Sequence, residues 1–241
     1  MWSYFGSKSK TAVRYPIPKY KTIIEPFAGS AQYSLFGDNW KRNIILCDKY
    51  KPVATIWDYL INKATKEMIL GLPDLKDQDN VNNYSLSEAE KYLIGFCINR
   101  GSAHPKLTAS KFNSWNKDKI RIANNLHKVK HWKIISGSYE DLPNIEATWF
   151  IDPPYQQAGK WYDSKCSNKS IDYPKLAEYC KTRKGQVIVC ENIEADWLPF
   201  KPMFTFHGQL NNRVEAIWMN NNNDCLSNFI HASPVSHNSK P

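Results

Sequence analysis

The sequence predicts an α/β fold with a mainly parallel β-sheet, because short apolar segments alternate with segments of helical spacing. Residues 22–25 and 43–48 have the length and the β-branched content of buried strands. A short helical stretch runs from Gly29 to Phe36, and after the second strand apolar residues recur at helical spacing, at Val53, Ile56, Trp57, Leu60 and Ile61. Strands and helices in this order imply parallel strands joined by right-handed crossovers.

This alternation is interrupted between residues 72 and 116, which predicts a small, mainly helical insertion. The pattern Ser85-x-x-Glu88 predicts a capping box for a helix that ends near residue 100. From Lys117 another helix leads back to the sheet, whose further strands we place at 133–136, 148–152, 186–190, 203–207 and 213–219. We therefore predict a discontinuous main domain, an insertion and a disordered polar tail, at residues 1–71 with 117–219, 72–116 and 220–241 respectively.

The charge balance of the 241-residue chain favours a polyanionic partner, since 32 Lys and Arg against 23 Asp and Glu give a net charge of +9. The six cysteines form no CxxC pair and do not cluster with the six histidines, so we expect buried reduced thiols and no metal. No signal peptide and no apolar run of bilayer length is evident, so we expect a cytoplasmic location and no membrane partner. We also expect a monomer.

The segment Asp152-Pro153-Pro154-Tyr155 ends a predicted strand, at the edge where open α/β sheets bind ligands. Two consecutive prolines make a rigid turn without backbone donors, which leaves the Pro153 carbonyl as an acceptor. The Asp152 carboxylate is a second acceptor, and the Tyr155 ring is a platform for stacking a base. Two acceptors would bind both hydrogens of an exocyclic amine and direct its lone pair outward. The segment predicts a pocket that makes an amine on a planar ring nucleophilic. The alternative is a Pro-Pro turn in which Asp152 only caps backbone amides.

Three further segments predict a site for a nucleoside-containing cofactor. Gly29, between the first strand and its helix, permits close backbone approach, and the helix that follows favours a carboxylate. Asp48 ends the second strand, where an acidic side chain can accept from ribose hydroxyls. Residues 4–8 supply a ring, a turn and an ammonium. The alternatives are a tight turn at Gly29, an N-cap or turn residue at Asp48, and a basic surface loop at residues 4–8. Together the segments meet the binding requirements of the adenosine, ribose and carboxylate groups of S-adenosylmethionine. The absence of the G-x-G-x-x-G motif disfavours NAD as the cofactor.

In these motifs the chain resembles the Dam-type N6-adenine DNA methyltransferases. The similarity covers residues 4–8, 25–30, 46–48, 137–141, 151–155 and 213–220 in the order that the family has them. It implies a Rossmann-like methyltransferase fold in which the insertion is the target-recognition region. It also implies S-adenosylmethionine as cofactor and catalytic roles for Asp152, Pro153 and Tyr155. The cofactor contacts that we expect are Tyr4, Lys8, Phe27, Gly29, Ser30, Asp48, Tyr139, Asp152 and Tyr162.

A basic stretch from residue 100 to residue 133 is opposed only by Asp118 and contains interleaved aromatic residues. We expect it to contact the phosphates of double-stranded DNA, although a solvated face is the alternative for any single lysine. The expected DNA contacts are Arg100, Lys106, Lys111, Trp115 and Lys117. Because lysine contacts phosphate as a point charge, we expect a short or relaxed recognition site.

The function that follows is methyl transfer to the N6 amine of an adenine flipped out of the duplex. Asp152 favours adenine over the N4 amine of cytosine, whose enzymes typically resemble SPPY at this position. The alternatives that stay open are an RNA adenine methyltransferase, a cytosine-N4 methyltransferase, and a catalytically silent relative that binds nucleic acid.

Overall fold

The structure is a computed structural model that describes residues 1–2, 4, 6–99, 102–157, 168–207 and 212–220. Within these residues, seven strands form one sheet in the order β3-β2-β1-β4-β5-β7-β6. The strands are β1 (Thr22–Glu25), β2 (Asn43–Asp48), β3 (Lys133–Ser136), β4 (Ala147–Ile151), β5 (Gly185–Asn192), β6 (Lys201–His207) and β7 (Asn212–Met219).

The first five strands are parallel, and β7 runs antiparallel between β5 and β6. The chain winds outward from β1 through β2 to β3, and then returns to β4 on the other side of β1. Such a reversal opens a crevice at the carboxyl ends of the two central strands, where ligands bind. The chain therefore has the predicted α/β fold with a Rossmann-like, mainly parallel sheet.

Helices cover the sheet at α1 (Gln32–Leu35), α2 (Lys51–Asp58), α3 (Lys66–Gly71), α4 (Glu88–Cys97), α5 (Trp115–Asn125) and α6 (Tyr173–Lys181). Helix α2 begins with Pro52 in its first turn and continues as a π-helical turn over Tyr59–Lys63. The Lys130 ammonium closes that turn by donating to the carbonyl oxygens of Leu60, Ile61 and Ala64, at 2.8 to 3.0 Å. Lys130 is thereby committed to a helix end.

Successive residues of the central strands face opposite apolar layers, because side chains alternate along a strand. Ile23 and Phe150 pack into the layer that contains α2, α4 and α5. Their neighbours Ile24 and Trp149 pack into the layer that contains α6. All five residues of β4 are buried, as expected for a strand in the middle of a doubly covered parallel sheet.

The predicted insertion packs into the first of these layers. Val81, Phe96 and Trp115 belong to the same apolar cluster as Trp57 of α2, so the insertion shares the core of the main domain. Its helix differs from the prediction in both ends: α4 is capped by Ser87 and stops at Cys97.

The Ser85–Glu88 capping box is therefore wrong, and Ser87 with Glu90 forms it instead. The physical reason is tertiary. The Glu90 carboxylate also accepts from the Tyr59 hydroxyl at 3.0 Å, whereas Glu88 binds Lys51 and Tyr92. A contact with the π-helical turn after α2 thus selects Ser87 with Glu90 over Ser85 with Glu88, although both pairs fit the capping-box pattern in the sequence.

Asn220, which we placed in the tail, is fixed to the sheet by its side chain. Its side chain accepts from the Val187 amide at 3.1 Å and donates to the Gly185 carbonyl at 2.9 Å, so it closes the end of β5. The rest of the predicted tail lies outside the described residues. Where the chain is described, no helix is long and apolar enough to cross a membrane. The cysteines described here are buried and form no disulfide, namely Cys47, Cys97, Cys180 and Cys190.

Candidate active site

A cleft with about 1010 Å³ of empty space, including its open mouth, lies at the carboxyl ends of β1, β2, β3 and β4. The structure brings eight of the nine expected cofactor residues into its wall, and the ninth, Tyr162, lies outside the described residues. The eight are Tyr4, Lys8, Phe27, Gly29, Ser30, Asp48, Tyr139 and Asp152.

Gly29 forms the turn that closes the cleft after β1. Its φ of +44° lies in the left-handed region, and a Cβ added there would stand 3.1 Å from two ring atoms of Tyr4. The Gly29 carbonyl accepts from Trp57 Nε1 at 2.8 Å, which fixes the turn to α2. Helix α1 begins three residues later and has only four residues, so the helix dipole that we expected to attract a carboxylate is small here.

Asp48 braces this turn from β2. Its Oδ2 accepts from the Gly29 amide and its Oδ1 from the Tyr50 amide, both at 2.9 Å. Burial raises the pKa of Asp48 to about 6, although both amides oppose the shift. Asp48 therefore acts as a turn residue, which was the alternative to a ribose contact. Each carboxylate oxygen keeps a second lone pair, which allows the same side chain to accept from a ligand.

Two aromatic side chains from different loops form one side of the cleft. Phe27 follows β1 and Tyr139 follows β3, and their ring centroids lie 5.5 Å apart at an interplanar angle of 34°. Tyr139 is held edge-on against Tyr179 of α6 at 4.8 Å. Such a flat apolar wall suits a planar heterocycle.

A charged cluster of five residues lies at and beneath the floor of the cleft: Lys8 and Asp152 line the cleft, and Tyr15, Tyr155 and Glu215 lie behind them. The Lys8 ammonium lies 3.0 Å from Asp152 Oδ1 and 3.4 Å from Glu215 Oε1, and it donates to the Tyr155 hydroxyl at 2.7 Å. Glu215 Oε1 also accepts from the hydroxyls of Tyr15, at 2.6 Å, and Tyr155. The cluster joins the N-terminal segment, the end of β4 and strand β7.

The charges of this cluster depend on one another. Burial by itself would lower the pKa of Lys8, but the carboxylates of Asp152 and Glu215 outweigh it and raise that pKa above its usual range. Burial raises the pKa of Asp152, which Lys8 counteracts. Burial and then the Asp152 charge raise the pKa of Tyr155 well above its usual value. Lys8 is therefore the cation that favours the ionised form of Asp152.

The Asp152–Tyr155 segment differs from our expectation in how it presents its residues. Pro153 is buried and, like Tyr155, lies outside the cleft wall, whereas Pro154 lines it. The Pro154 carbonyl already accepts from the Tyr173 hydroxyl at 2.7 Å. The Lys8 ammonium lies 4.6 Å from the centroid of the Tyr155 ring and 2.7 Å from its hydroxyl oxygen, so it contacts the hydroxyl end of the ring rather than a face.

Glu191, at the end of β5, holds the chain just after this segment, and the sequence analysis missed it. The side chain is fully buried, and its Oε2 accepts from the Gln156 amide at 2.9 Å and from Trp197 Nε1 at 3.2 Å. Burial raises the pKa of Glu191 to about 7. The sequence did contain a signal for such residues, namely a glutamate in an apolar strand. Glu191 lies near the end of one such strand and Glu215 lies within another.

The residues expected at DNA divide into three groups. Lys106, Lys111 and Lys117 are exposed, as a phosphate contact requires. Trp115 is wrong, because it is fully buried and its Nε1 donates to the Pro73 carbonyl at 2.8 Å. Arg100 lies outside the described residues.

The basic stretch around these residues contains lysines that are committed to the fold. Lys119 is buried and donates to the Leu72 carbonyl at 2.8 Å and to Asp74 at 2.6 Å. Lys130 closes the end of α2, as described above. The charge run in the sequence therefore overstates the basic surface.

The loop after α4 connects the insertion to the cleft. Its Lys106 amide donates to the Gly95 carbonyl at 3.0 Å, and a Cβ on Gly95 would stand 2.7 Å from the Lys106 oxygen. His104 lies 3.2 Å from the Tyr50 hydroxyl, and Ala103 and Tyr50 both line the cleft. The insertion thus reaches the wall of the cleft. Among the described residues, no group of three His, Cys, Asp or Glu side chains could hold a metal ion.

No protein-family model matches this sequence, and no curated protein matches it. Two solved structures are similar in fold. One is a conserved hypothetical protein from Streptococcus pyogenes, with 11% identity, a TM-score of 0.34, and coverage of 83% of this chain and 86% of that one. The other is the rRNA methyltransferase AviRa from Streptomyces viridochromogenes, with 9% identity, a TM-score of 0.38, and coverage of 88% and 81%. At these values neither similarity carries an argument about the reaction, which has to come from the site.

Proposed function

We propose that this chain is an S-adenosylmethionine-dependent methyltransferase that modifies the N6 amine of adenine in double-stranded DNA. One observation carries the proposal: Asp152 lies at the floor of a cleft whose other walls fit S-adenosylmethionine. The amine acceptor and the cofactor-binding residues thus share one site, although they come from segments far apart in the sequence.

The residues of the cleft fit the cofactor in three respects. The Gly29 turn leaves open the space that a Cβ would fill beside Tyr4. The Phe27 and Tyr139 rings offer a flat wall for an adenine, and Asp48 offers an acceptor for ribose hydroxyls. When bound, S-adenosylmethionine supplies an electrophilic methyl group on a cationic sulfur.

Asp152 is the residue that would act on the target amine. Its carboxylate keeps acceptor capacity beyond the contact with Lys8, since an ionised carboxylate has about four lone-pair sites. By accepting from the amine, Asp152 would direct the nitrogen lone pair away from the ring and toward the methyl group. The nitrogen would form its bond to the methyl carbon as the carbon–sulfur bond breaks with its electron pair on sulfur, and the proton that the nitrogen then loses would pass to solvent. Orientation of this kind supplies on the order of 7–11 kcal/mol.

Two features support DNA as the partner: the positive charge of the chain and the contact between the loop after α4 and the cleft wall. The chain has a net charge of +9, and Lys106, Lys111 and Lys117 are exposed on the insertion and at its border. The loop that carries Lys106 also contacts the cleft wall through Ala103 and Tyr50. A duplex bound to these lysines would present its bases near the cleft, but a paired adenine has to be flipped out to enter it.

The proposal is tested by offering the purified chain labelled S-adenosylmethionine with double-stranded DNA, single-stranded DNA and RNA in parallel. Digestion to nucleosides and mass spectrometry then identify the methylated base. We expect N6-methyladenine, formed fastest in double-stranded DNA. N4-methylcytosine, or a product found only in RNA, would replace the proposed substrate with one of the alternatives. No product, with cofactor binding intact, would leave the catalytically silent relative.

The matched variants are Asp152→Ala and Glu178→Gln. Asp152→Ala should lose nearly all transfer in single turnover and keep most of its DNA binding, because it removes the charged acceptor and no phosphate contact. Glu178 is an exposed residue of α6 paired with Lys181, and its replacement should leave transfer unchanged. Transfer at the wild-type rate by Asp152→Ala would exclude the mechanism.

A further inference from the structure

We infer that Glu215 makes the cleft select for positive charge, and so distinguishes the cationic methyl donor from its neutral thioether product. The inference rests on the proposed function and adds a residue to it. Glu215 lies outside the cleft wall and reaches the cleft through Lys8, so it is a positioning residue.

The first step of the argument is the charge of the cluster. One ammonium, Lys8, is paired with two carboxylates, Asp152 and Glu215, so the cluster carries a surplus of one negative charge. The side chains of the three residues are only 11%, 20% and 7% exposed, respectively. Water therefore screens this surplus charge weakly, and its field extends into the cleft.

The second step is that donors converge on the Glu215 carboxylate. Its Oε1 accepts from the hydroxyls of Tyr15 and Tyr155 and from the Lys8 ammonium. Donors that converge on one carboxylate oxygen stabilise the ionised form. Asp152 alone would neutralise Lys8, so the surplus exists because β7 places a second carboxylate behind the same ammonium.

The third step compares the two ligands. S-adenosylmethionine and S-adenosylhomocysteine share the adenine, the ribose and the amino-acid group, and they differ in the methyl group and in the charge on sulfur. The uncharged contacts of the cleft contribute about equally to both. A residue that acts through charge changes the ratio of their affinities, whereas a residue that only supports the fold changes both affinities alike.

The test is calorimetric titration of wild type and Glu215→Gln with S-adenosylmethionine, S-adenosylhomocysteine and sinefungin, which carries a cationic amine in place of the sulfonium. We expect Glu215→Gln to bind the two cationic ligands about tenfold more weakly, from a unit charge acting across a partly screened site, and the neutral product within about twofold of wild type. Glutamine keeps an oxygen that accepts from Tyr15 and Tyr155, so the cluster retains its hydrogen bonds.

Two variants serve as controls. Glu215→Asp keeps the charge and should restore the wild-type ratio, and Glu178→Gln removes an exposed charge on α6 and should leave the ratio unchanged. For a variant too unstable for calorimetry, the shifts in melting temperature that the three ligands produce give the same comparison.

An equal loss of affinity for all three ligands in Glu215→Gln would overturn the inference and leave the proposed function standing. If the wild type bound neither S-adenosylmethionine nor S-adenosylhomocysteine, the proposed function would fall, and the inference with it. If the wild type bound both but methylated no nucleic acid, the ratio in Glu215→Gln would still decide the inference.

Discussion

Replacing Lys8 by methionine tests whether one buried ammonium compensates the charges of Asp152 and Glu215. Methionine keeps most of the apolar stem of the side chain and removes the charge. In the structure the ammonium contacts Asp152 at 3.0 Å, Glu215 at 3.4 Å and the Tyr155 hydroxyl at 2.7 Å. Removing one partner of a buried ion pair typically costs about 3–5 kcal/mol, because the remaining charge is left uncompensated.

The loss has a ceiling that depends on pH, because Asp152 can take up a proton. From its ordinary pKa of 3.8, protonation costs about 1.4 kcal/mol per pH unit, which is about 4 kcal/mol at pH 7 and about 1.6 kcal/mol at pH 5. The pKa of Asp152 in the folded variant is raised, so the stability that protonation contributes is present at low pH and is lost as the pH rises. We therefore expect Lys8→Met to lose about 3 kcal/mol at pH 7 and about half of that at pH 5.

Urea denaturation of wild type and variant between pH 5 and pH 8 measures this difference. The matched control is Lys119→Met: Lys119 is also buried, at 9% exposure, but its partner Asp74 is 69% exposed and stays hydrated. Its loss of stability should vary little over this pH range. The double variant Lys8→Met with Glu215→Gln should recover about 1 kcal/mol or more relative to Lys8→Met, since the two sites are coupled. Parallel pH profiles for Lys8→Met and Lys119→Met, or no recovery in the double variant, would refute the reasoning.

Three further predictions follow from the cleft and the insertion. Gly29→Ala should cost about 1–2 kcal/mol in urea denaturation, because alanine is strained at a φ of +44°, and it should weaken cofactor binding by calorimetry because the new Cβ meets the Tyr4 ring. Trp115→Ala should cost about 3–5 kcal/mol as a cavity in the core, whereas Trp115→Phe should bind DNA like wild type in a filter-binding assay. Replacing three exposed lysines together should weaken binding to every DNA sequence about equally and reduce its dependence on salt, and a sequence-dependent loss would contradict this; the residues are Lys106, Lys111 and Lys117.

The position of the cleft could be predicted from the sequence because parallel strands bring their carboxyl ends to one edge. Gly29 and Asp48 follow the first two strands, and Asp152 follows the fourth. Once the strands were placed, these residues had to converge, whatever the details of the loops. Predicting the wall of the cleft therefore required only short-range sequence patterns and the rule that parallel strands share one carboxyl edge.

Predicting the charged cluster required information that short-range sequence patterns do not contain. Lys8 and Glu215 meet because β7 inserts antiparallel between β5 and β6, and nothing near either residue specifies that pairing. For the same reason a run of lysines did not reveal which of them close helix ends, as Lys130 does. Trp115 shows the limit most clearly: an aromatic residue in a basic stretch fits a DNA contact as well as it fits the core, and only packing separates the two.

The structure separates two opposite electrostatic requirements of the proposed reaction. A chain that binds DNA benefits from positive charge, and the exposed lysines of the insertion provide it. A site that receives a cationic donor and develops positive charge on nitrogen benefits from negative charge, and that charge is carried by Asp152 at the cleft floor and by Glu215 beneath it. Lys8 contacts both carboxylates, so it reduces their mutual repulsion and still leaves one negative charge in surplus. Water and salt screen the exposed lysines, whereas the buried cluster is screened weakly, so a chain with a net charge of +9 can maintain a cleft suited to a cation.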